Sequence, residues 1–399
     1  MMQKRIMLLG GNYIQMTATL AAKAQGYYVI SVDYLPDNPA HKYADEYHNV
    51  STIDKEAVLE LAEKLNIDGI ASYGSDVSAP TAAYVAEKLG LPTNPYESVM
   101  IMTHKDLFRK FMRENGFPMP EGRAFSDREE AFSFFKTIKK PVMVKPIDSS
   151  GSKGVTKIYD DREFHDAWEE AFRYSISGGV IVEEFIERKG YQIDGDCFVI
   201  DGEIRFWGIC DQHHDDGCSP YTPAGLSYPP TQDMHIQEKA KAQISRLFGL
   251  LHMHMGGYNI EYIVGQDDEV YILEIGPRNG GNLISDAIRV STGVDLAAYT
   301  VRQAVGDDCS ALAQDPPVCC CSSYILHAQK DGIFRRLEIE ESIRDKIVLE
   351  YLDVKDGDPV KRFRNAGFGI GYLLVRFPDT EEMCDVIDHM NDYVHVIVE

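Results

Sequence analysis

Three short apolar runs, Arg5–Leu9, Tyr28–Val32 and Gly69–Ser72, alternate with stretches whose Ala and Leu recur at helical spacing. Strands divided by helices of this length pair in parallel, because a tight hairpin between them is impossible. The spacing predicts helices over Tyr13–Gln25, Lys55–Leu65 and Pro80–Leu89, and therefore an α/β, doubly wound parallel sheet for residues 1–95. Ligands on such sheets sit beyond the carboxyl ends of the strands. Those ends are Gly10-Gly11-Asn12 and Gly74-Ser75-Asp76, which makes Ser75 and Asp76 candidate substrate contacts. Asp33 lies about 20 residues past the first turn, where a dinucleotide-binding fold keeps a ribose-binding acid. Gly10-Gly11-Asn12-Tyr13-Ile14-Gln15 lacks the third glycine of that fingerprint, so a plain strand-to-helix turn is the preferred reading over NAD binding.

Charge excludes one large class of partners. The 399 residues carry 40 basic and 63 acidic side chains, a formal charge of −23, which repels a nucleic-acid backbone. A local field of opposite sign still admits a small anionic ligand. With 44% apolar and 26% charged residues the chain is globular in composition, and its length suggests two or three domains. The eight cysteines form no CxxC pair, so neither a zinc ribbon nor a disulfide scaffold is indicated and a reduced cytoplasmic compartment is the default. Ile6-Met7-Leu8-Leu9 is too short for a signal-peptide core, and no apolar run approaches the roughly 18 residues of a membrane span.

The chemistry-bearing patterns lie farther on. Thr103 and Asp106 are spaced as a capping box, with Lys105 in the first turn of the helix they would open. A lysine there opposes the helix dipole and favours an anionic neighbour, although a plain surface lysine is the simpler reading. Phe117-Pro118-Met119-Pro120 cannot be helical and reads as a hinge. Pro141–Pro146 is an apolar strand containing Lys145, expensive to bury without an anion. Ser149, Ser150, Gly151, Ser152 and Gly154 then form a small-residue loop able to lay N–H groups over phosphates, or simply a mobile turn. In Val180–Glu187, apolar residues enclose Glu183 and Glu184, an edge suited to a flat heteroaromatic ring. Tyr258–Val264 and Val270–Ile275 read as a hairpin carrying Glu261 and Glu274. If these acids face the same side they need a cation such as Mg²⁺ between them; if they face opposite sides, one is solvated. Arg278 and Asn282, entering the next helix, make an anion site.

Asp211–Asp216 holds His213 and His214, read as substrate contact, solvated loop or a separate metal site. Pro220–Pro230 reads as a rigid substrate-facing loop, and Cys319–Cys321 as part of a core strand. Residues 319–399 read as strands with a helix at Glu381–Tyr393.

The order of Lys105, Lys145, the Ser/Gly loop, Val182–Ile186, Glu261 and Glu274-Ile275-Gly276-Pro277-Arg278 resembles the ATP-grasp superfamily over about residues 4–305. It is most similar to the branch of carbamoyl-phosphate synthase, biotin carboxylase, the purine-pathway carboxylases and the L-amino acid ligases. The resemblance implies a pre-ATP-grasp domain (1–95), a two-subdomain α+β ATP-grasp domain (96–305, with a lid at 118–187) and a small C-terminal α+β domain (306–399). ATP would contact Lys105 and Lys145, be covered by Ser149 to Gly154, and meet Glu183, Glu184, Phe185 and Ile186 through adenine and Gln192 through ribose. Glu261 and Glu274 would hold Mg²⁺, with Mn²⁺ as a substitute, and Arg278 would meet the transferred phosphoryl group. Arg278 and Lys145 would be the catalytic pair. Ser75, Asp76, His213, His214, Arg278 and Asn282 would face the acceptor.

The implied activity is an ADP-forming ligase that joins a carboxylate, of an amino acid or small metabolite, to an amine or thiol through an acyl-phosphate. A bicarbonate-activating carboxylase working through carboxyphosphate and a non-catalytic nucleotide-binding protein are the other readings. Dimerisation through the first domain is a further expectation of the resemblance. Two positions depart from the family pattern: Gln192 stands where a ribose-binding Glu is frequent, and Gly276 where a metal-ligating Asn is usual.

Overall fold

The computed structural model describes residues 3–149 and 152–399; Ser150 and Gly151 of the Ser/Gly loop lie outside the described residues. Four parallel strands of the N-terminal part pair in the order Glu46–His48, Tyr28–Val32, Arg5–Leu9, Gly69–Ser72. Ile6 and Leu8 pack with Ala18 and Ala22 of the first helix, whereas Met7 and Leu9 pack with Val58, Ala62 and Val85 on the other face. Burial on both faces is why the strand is continuously apolar. At its end Gly10 has φ +103°, and a side chain there would run into Gln15. Asn12 and Gln15 form a capping box that closes the turn on itself. Asp33 is likewise spent locally, accepting from the Leu35 N–H and Asn38 Nδ2.

The chain then breaks into two helices, Tyr96–Thr103 and Lys105–Glu114, with His104 extended between them. The expected capping box does not form, because the Thr103 hydroxyl turns back to the Val99 carbonyl of the preceding helix. Lys105 still opens a helix, and its N–H donates to the Ile147 carbonyl. A four-stranded antiparallel sheet follows, ordered Gly122–Phe125, Val180–Glu184, Val142–Pro146, Thr156–Ile158. Its back is sealed by Phe135, Phe164, Ala167 and Trp168.

The largest sheet has eight strands in the order Val270–Gly276, Met255–Val264, Gln192–Ile200, Glu203–Asp215, Ser219–Tyr228, Cys320–His327, Gly369–Phe377, Ile347–Leu352. It runs through position 306: three of its strands come from the C-terminal part. Three sequence readings change here. Asp211–Asp215 is strand, not loop. Ser219–Tyr228 is strand as well, paired on both sides, and the prolines fall where the ladder is already irregular, near register shifts at His213 and His214. The final helix is shorter than expected, Thr380–Asp388. Cys320 and Cys321 lie in a buried strand as read. Among the described residues no helix is long and apolar enough to cross a membrane.

Leu373 is fully buried in one of the C-terminal strands of this sheet. Leu373→Ala is expected to lower the unfolding free energy by about 3 kcal/mol. Calorimetry should show the loss in the same transition that melts the central sheet. Early melting of the C-terminal part alone would contradict the continuity of the sheet.

Candidate active site

A cavity of about 660 Å³ opens between the small antiparallel sheet and the eight-stranded one. Lys105, Lys145, Glu261, Glu274 and Arg278 all line it. The small sheet contributes one wall. In Val142–Pro146, Val142 and Val144 point into the hydrophobic back, so Met143 and Lys145 point to the cavity. Met143 is paired with Glu183 and Lys145 with Ile181, so the ammonium lies one diagonal step from the carboxylate. Lys145 Nζ forms an ion pair with Glu183 Oε1, and Arg109 Nε reaches Oε2 at 3.1 Å. Burial pushes the Glu183 carboxyl up, but Lys145 and Arg109 outweigh it and hold it down at about 2. Lys145 is pushed below its ordinary value, chiefly by burial, against the attraction of Glu183. Arg109 Nη2 is buried without a partner. Two cations thus share one carboxylate; Lys145 and Glu183 line the cavity, while Arg109 Nη1 donates to the Ile272 carbonyl at 3.3 Å.

The opposite wall has the reverse balance. Glu261 is directly across from Glu274 on one side and from Asp194 on the other, so three acids stand abreast on adjacent strands. Residues opposite one another across a ladder share a face, which puts both glutamates on the cavity side. Burial, then Asp194 and Glu274, raises Glu261 well above the usual carboxylate range. Asp194 is raised to about 7, first by burial, although Asn259 Nδ2 donates to it at 2.6 Å. Gln192 Nε2 donates to Glu261 at 3.2 Å. Lys105 spans the two walls: Nζ is 2.9 Å from Glu274 Oε2 and 2.9 Å from the Ser149 carbonyl. Burial lowers its pKa, but Glu274, Asp76 and Glu261 together raise it, so it stays an ammonium.

Arg278 Nη2 pairs with Asp76 Oδ2 at 2.6 Å, linking the N-terminal sheet to the site. A Cβ on Gly276 would come within 2.6 Å of Asp76 Oδ1 and 2.9 Å of Arg278 Cζ. The ion pair occupies the space beside Gly276, so a side chain there would have to displace it. Asp196 fixes the loop that carries Arg278, accepting from the Gly280 N–H and Ser285 Oγ, both at 2.7 Å.

At the far end the N–H groups of Glu184 and Phe185 donate to the Glu121 and Pro141 carbonyls, and among the described residues the Ile186 N–H has no main-chain acceptor. Met143, Ile186, Ile263 and Leu273 make an apolar slot beside it. Glu184 lines the cavity and pairs with Lys139 at 3.3 Å. Lys157 Nζ lies 3.5 Å from the centre of the Phe185 ring. Ser149 and Ser152 also line the cavity, and Ser152 Oγ donates to the Tyr221 carbonyl at 2.8 Å. Gly154 packs against the backbone of Glu170 and Ala171 instead.

The residues read as acceptor contacts divide. Asp76, Arg278 and Asn282 line the cavity, together with Gly281 and Tyr372. Ser75 does not; its carbonyl accepts the hydroxyls of Ser72 and Ser78. His213 is turned to the other face of its strand, where Nδ1 is 2.6 Å from Asp388. His214 stands behind Gln212 at 2.9 Å and is held neutral, its pKa pushed to about 3 by burial and then Arg188. One-residue alternation separates the two histidines. The sequence reading missed Arg109, Asp194 and Asp196. The acids left a trace, since Gln192, Asp194 and Asp196 recur at period two in an apolar strand. Arg109 left none in its charged helix.

Residues 102–282 match the family described as ATP-grasp domain. The C-terminal section of the carbamoyl phosphate synthase large chain from Aquifex aeolicus is 27% identical over 322 residues, 76% of this chain and 58% of that protein. The chain therefore spans little more than half the length of this relative. Among solved structures, the L-amino acid ligase from Bacillus licheniformis superposes with a TM-score of 0.82 at 18% identity, covering 100% of this chain and 99% of that one. The biotin carboxylase domain of the Hydrogenobacter thermophilus 2-oxoglutarate carboxylase, solved with MgADP, ADP and bicarbonate, has a TM-score of 0.77 at 17% identity, covering 100% and 91%. At these identities the structural likeness is one of fold.

Glu183 generates a test of the first wall. Its folded pKa is below the ordinary value of 4.5, so in acid the unfolded chain binds a proton that the folded chain does not. Its share of stability is complete above that ordinary value and drains away as pH falls toward about 2. Glu183→Gln should erase this share of acid sensitivity. It should also cost about 3–5 kcal/mol at neutral pH, because two buried cations lose their carboxylate. Denaturant titrations across this pH range check both; an unchanged pH profile contradicts the assignment.

Proposed function

We propose that this chain, whose residues 102–282 match the ATP-grasp domain family and which is similar to part of the carbamoyl phosphate synthase large chain, is an ADP-forming ligase that takes Mg-ATP into the 660 Å³ cavity and activates a carboxylate as an acyl-phosphate. The observation that carries the reading is the polarity of the two walls. Lys145 and Glu183 line one side, with the buried Arg109 guanidinium also paired to Glu183, and three acids, Asp194, Glu261 and Glu274, crowd the other, with the Lys105–Glu274 pair between them. A triphosphate with a divalent cation has the complementary arrangement. Lys105 would release Glu274 to the cation and take phosphate in exchange.

The donor set suits the cation. Glu261 and Glu274 offer hard oxygens from facing positions, and burial makes their mutual repulsion costly until a cation joins them. Magnesium bound there would neutralise phosphate charge. Lys105 and Lys145 would orient the phosphates, the Ile186 N–H and the apolar slot would hold adenine, and Gln192 would reach ribose. Ser149 and Ser152 would help keep water from a hydrolysable acyl-phosphate. Arg278, aimed by Asp76, would steady the acceptor carboxylate and the phosphoryl group as it moves. No protein nucleophile is needed, because phosphorylation itself turns a poor electrophile into a good one. An amine or thiol then attacks the acyl-phosphate carbonyl and phosphate leaves.

Bicarbonate is the second reading for the activated acid, supported by the bicarbonate bound in the Hydrogenobacter thermophilus structure. ADP release that needs bicarbonate but no organic acid selects it. In an ADP-release screen over carboxylate and amine pairs, a productive pair is expected, and Lys145→Ala and Glu274→Ala should each cut its rate by about 10²-fold or more while keeping the native circular dichroism. Retained activity in either variant, or no ADP above background with any acid including bicarbonate, contradicts the proposal.

A further inference from the structure

A second cluster of chemistry-bearing side chains lies outside the cleft. Asp215 ends the strand Glu203–Asp215, Cys218 sits in the turn that follows, and His327 ends the strand Cys320–His327. Their ligand atoms all lie within 4.8 Å of one another, the one such group of three among the described residues. The His327 side chain is fully buried and Asp215 nearly so. His327 Nδ1 faces the Ile325 carbonyl at 2.6 Å and donates to it. A neutral imidazole held this way carries its free lone pair on Nε2, which points at Asp215 Oδ2 from 2.9 Å. Two lone pairs at that distance require a cation between them, a proton or a metal. Fixing the far ring nitrogen on a carbonyl is also how metal-binding histidines are oriented.

The donor types choose between metals. One imidazole, one carboxylate and one thiol that ionises on binding, its proton passing to water, suit a borderline-soft dication. Two anionic ligands and one neutral one balance a 2+ charge. Gln329 Nε2 donates to Asp215 Oδ2 at 2.7 Å, beside Asn391 Nδ2 at 3.0 Å, while Gln329 Oε1 accepts from Cys218 Sγ at 2.9 Å and is a neutral oxygen for a fourth position. Tetrahedral zinc sites space their ligand atoms about 3.3–3.8 Å apart, so the ion would open the His327–Asp215 pair from 2.9 Å and draw in the others, which lie within 4.8 Å. Cys218 and His327 lie far apart in the sequence and meet through sheet order, which is why no spacing motif announces them.

We propose that Asp215, Cys218 and His327 bind a zinc-class divalent cation at a site separate from the nucleotide cleft. The location gives the site a consequence. The same turn continues into Pro220 and Tyr221, which line the cleft, and the Tyr221 carbonyl receives Ser152 from the Ser/Gly loop. An ion here pins the support on which that loop rests.

The test uses the full chain, stripped with chelator and reloaded with Co²⁺ or Zn²⁺ before gel filtration. One Co²⁺ per chain should remain, with a thiolate-to-cobalt charge-transfer band that Cys218→Ser abolishes. In the unmutated protein Zn²⁺ should slow alkylation of Cys218 by about tenfold, read by peptide mapping, while the half-buried Cys319 and Cys384 stay unprotected. The alkylation measurement needs no variant, so a folding defect in Cys218→Ser does not blunt the test. Absence of retained metal, a band that survives Cys218→Ser, or no protection of Cys218 overturns the proposal. None of these readouts depends on ligase activity.

Discussion

The cleft is governed by the cost of burying charge. A buried ion is tolerated only when another matches it, and here the matching is incomplete on each wall. Glu183 serves two cations, Glu261 stands between two other acids, and Lys105 leans across to Glu274. The same constraint explains features that otherwise look incidental. Arg278 is aimed by Asp76, and the pair takes the room that a side chain at position 276 would use. Asp196 holds the loop behind Arg278 by its backbone as well as its side chains, so the guanidinium sits on a rigid base.

Architecture delivers these charges to one place. Two sheets of different origin face each other, and strand alternation sends Met143 and Lys145 of Val142–Pro146, and Gln192 and Asp194 of Gln192–Ile200, to the cleft. The N-terminal sheet enters through Asp76 alone among its acids that line the cavity. The C-terminal part is woven into the eight-stranded sheet and contributes Tyr372 to the same cavity. The cleft is therefore lined by residues from all three parts of the chain.

Much of this was legible in the residues. The parallel N-terminal sheet followed from apolar runs of uniform burial, and the glutamate hairpin from two apolar strands about a polar turn. Lys145 announced itself as a charge inside an apolar run. Other features were hidden for physical reasons. The chain through Pro220 and Pro223 looks like a loop by composition, yet pairing on both sides makes it strand. His213 and His214 are neighbours in sequence, and the pleat sends only His214 toward the cleft side. Arg109 sits in a helix so rich in charge that one buried guanidinium cannot be told from its solvated neighbours. Cys218 and His327 meet only through sheet order, which local spacing does not encode.

The central claim is that Mg-ATP bridges the two unbalanced walls. A crystal structure of the protein with Mg²⁺ and a non-hydrolysable ATP analogue tests it most directly. Phosphate oxygens are expected against Lys105 and Lys145, metal on Glu261 and Glu274, and the Lys105–Glu274 contact broken. A nucleotide bound elsewhere, or bound in the cleft with Lys105 still on Glu274 and no metal between the glutamates, would contradict it.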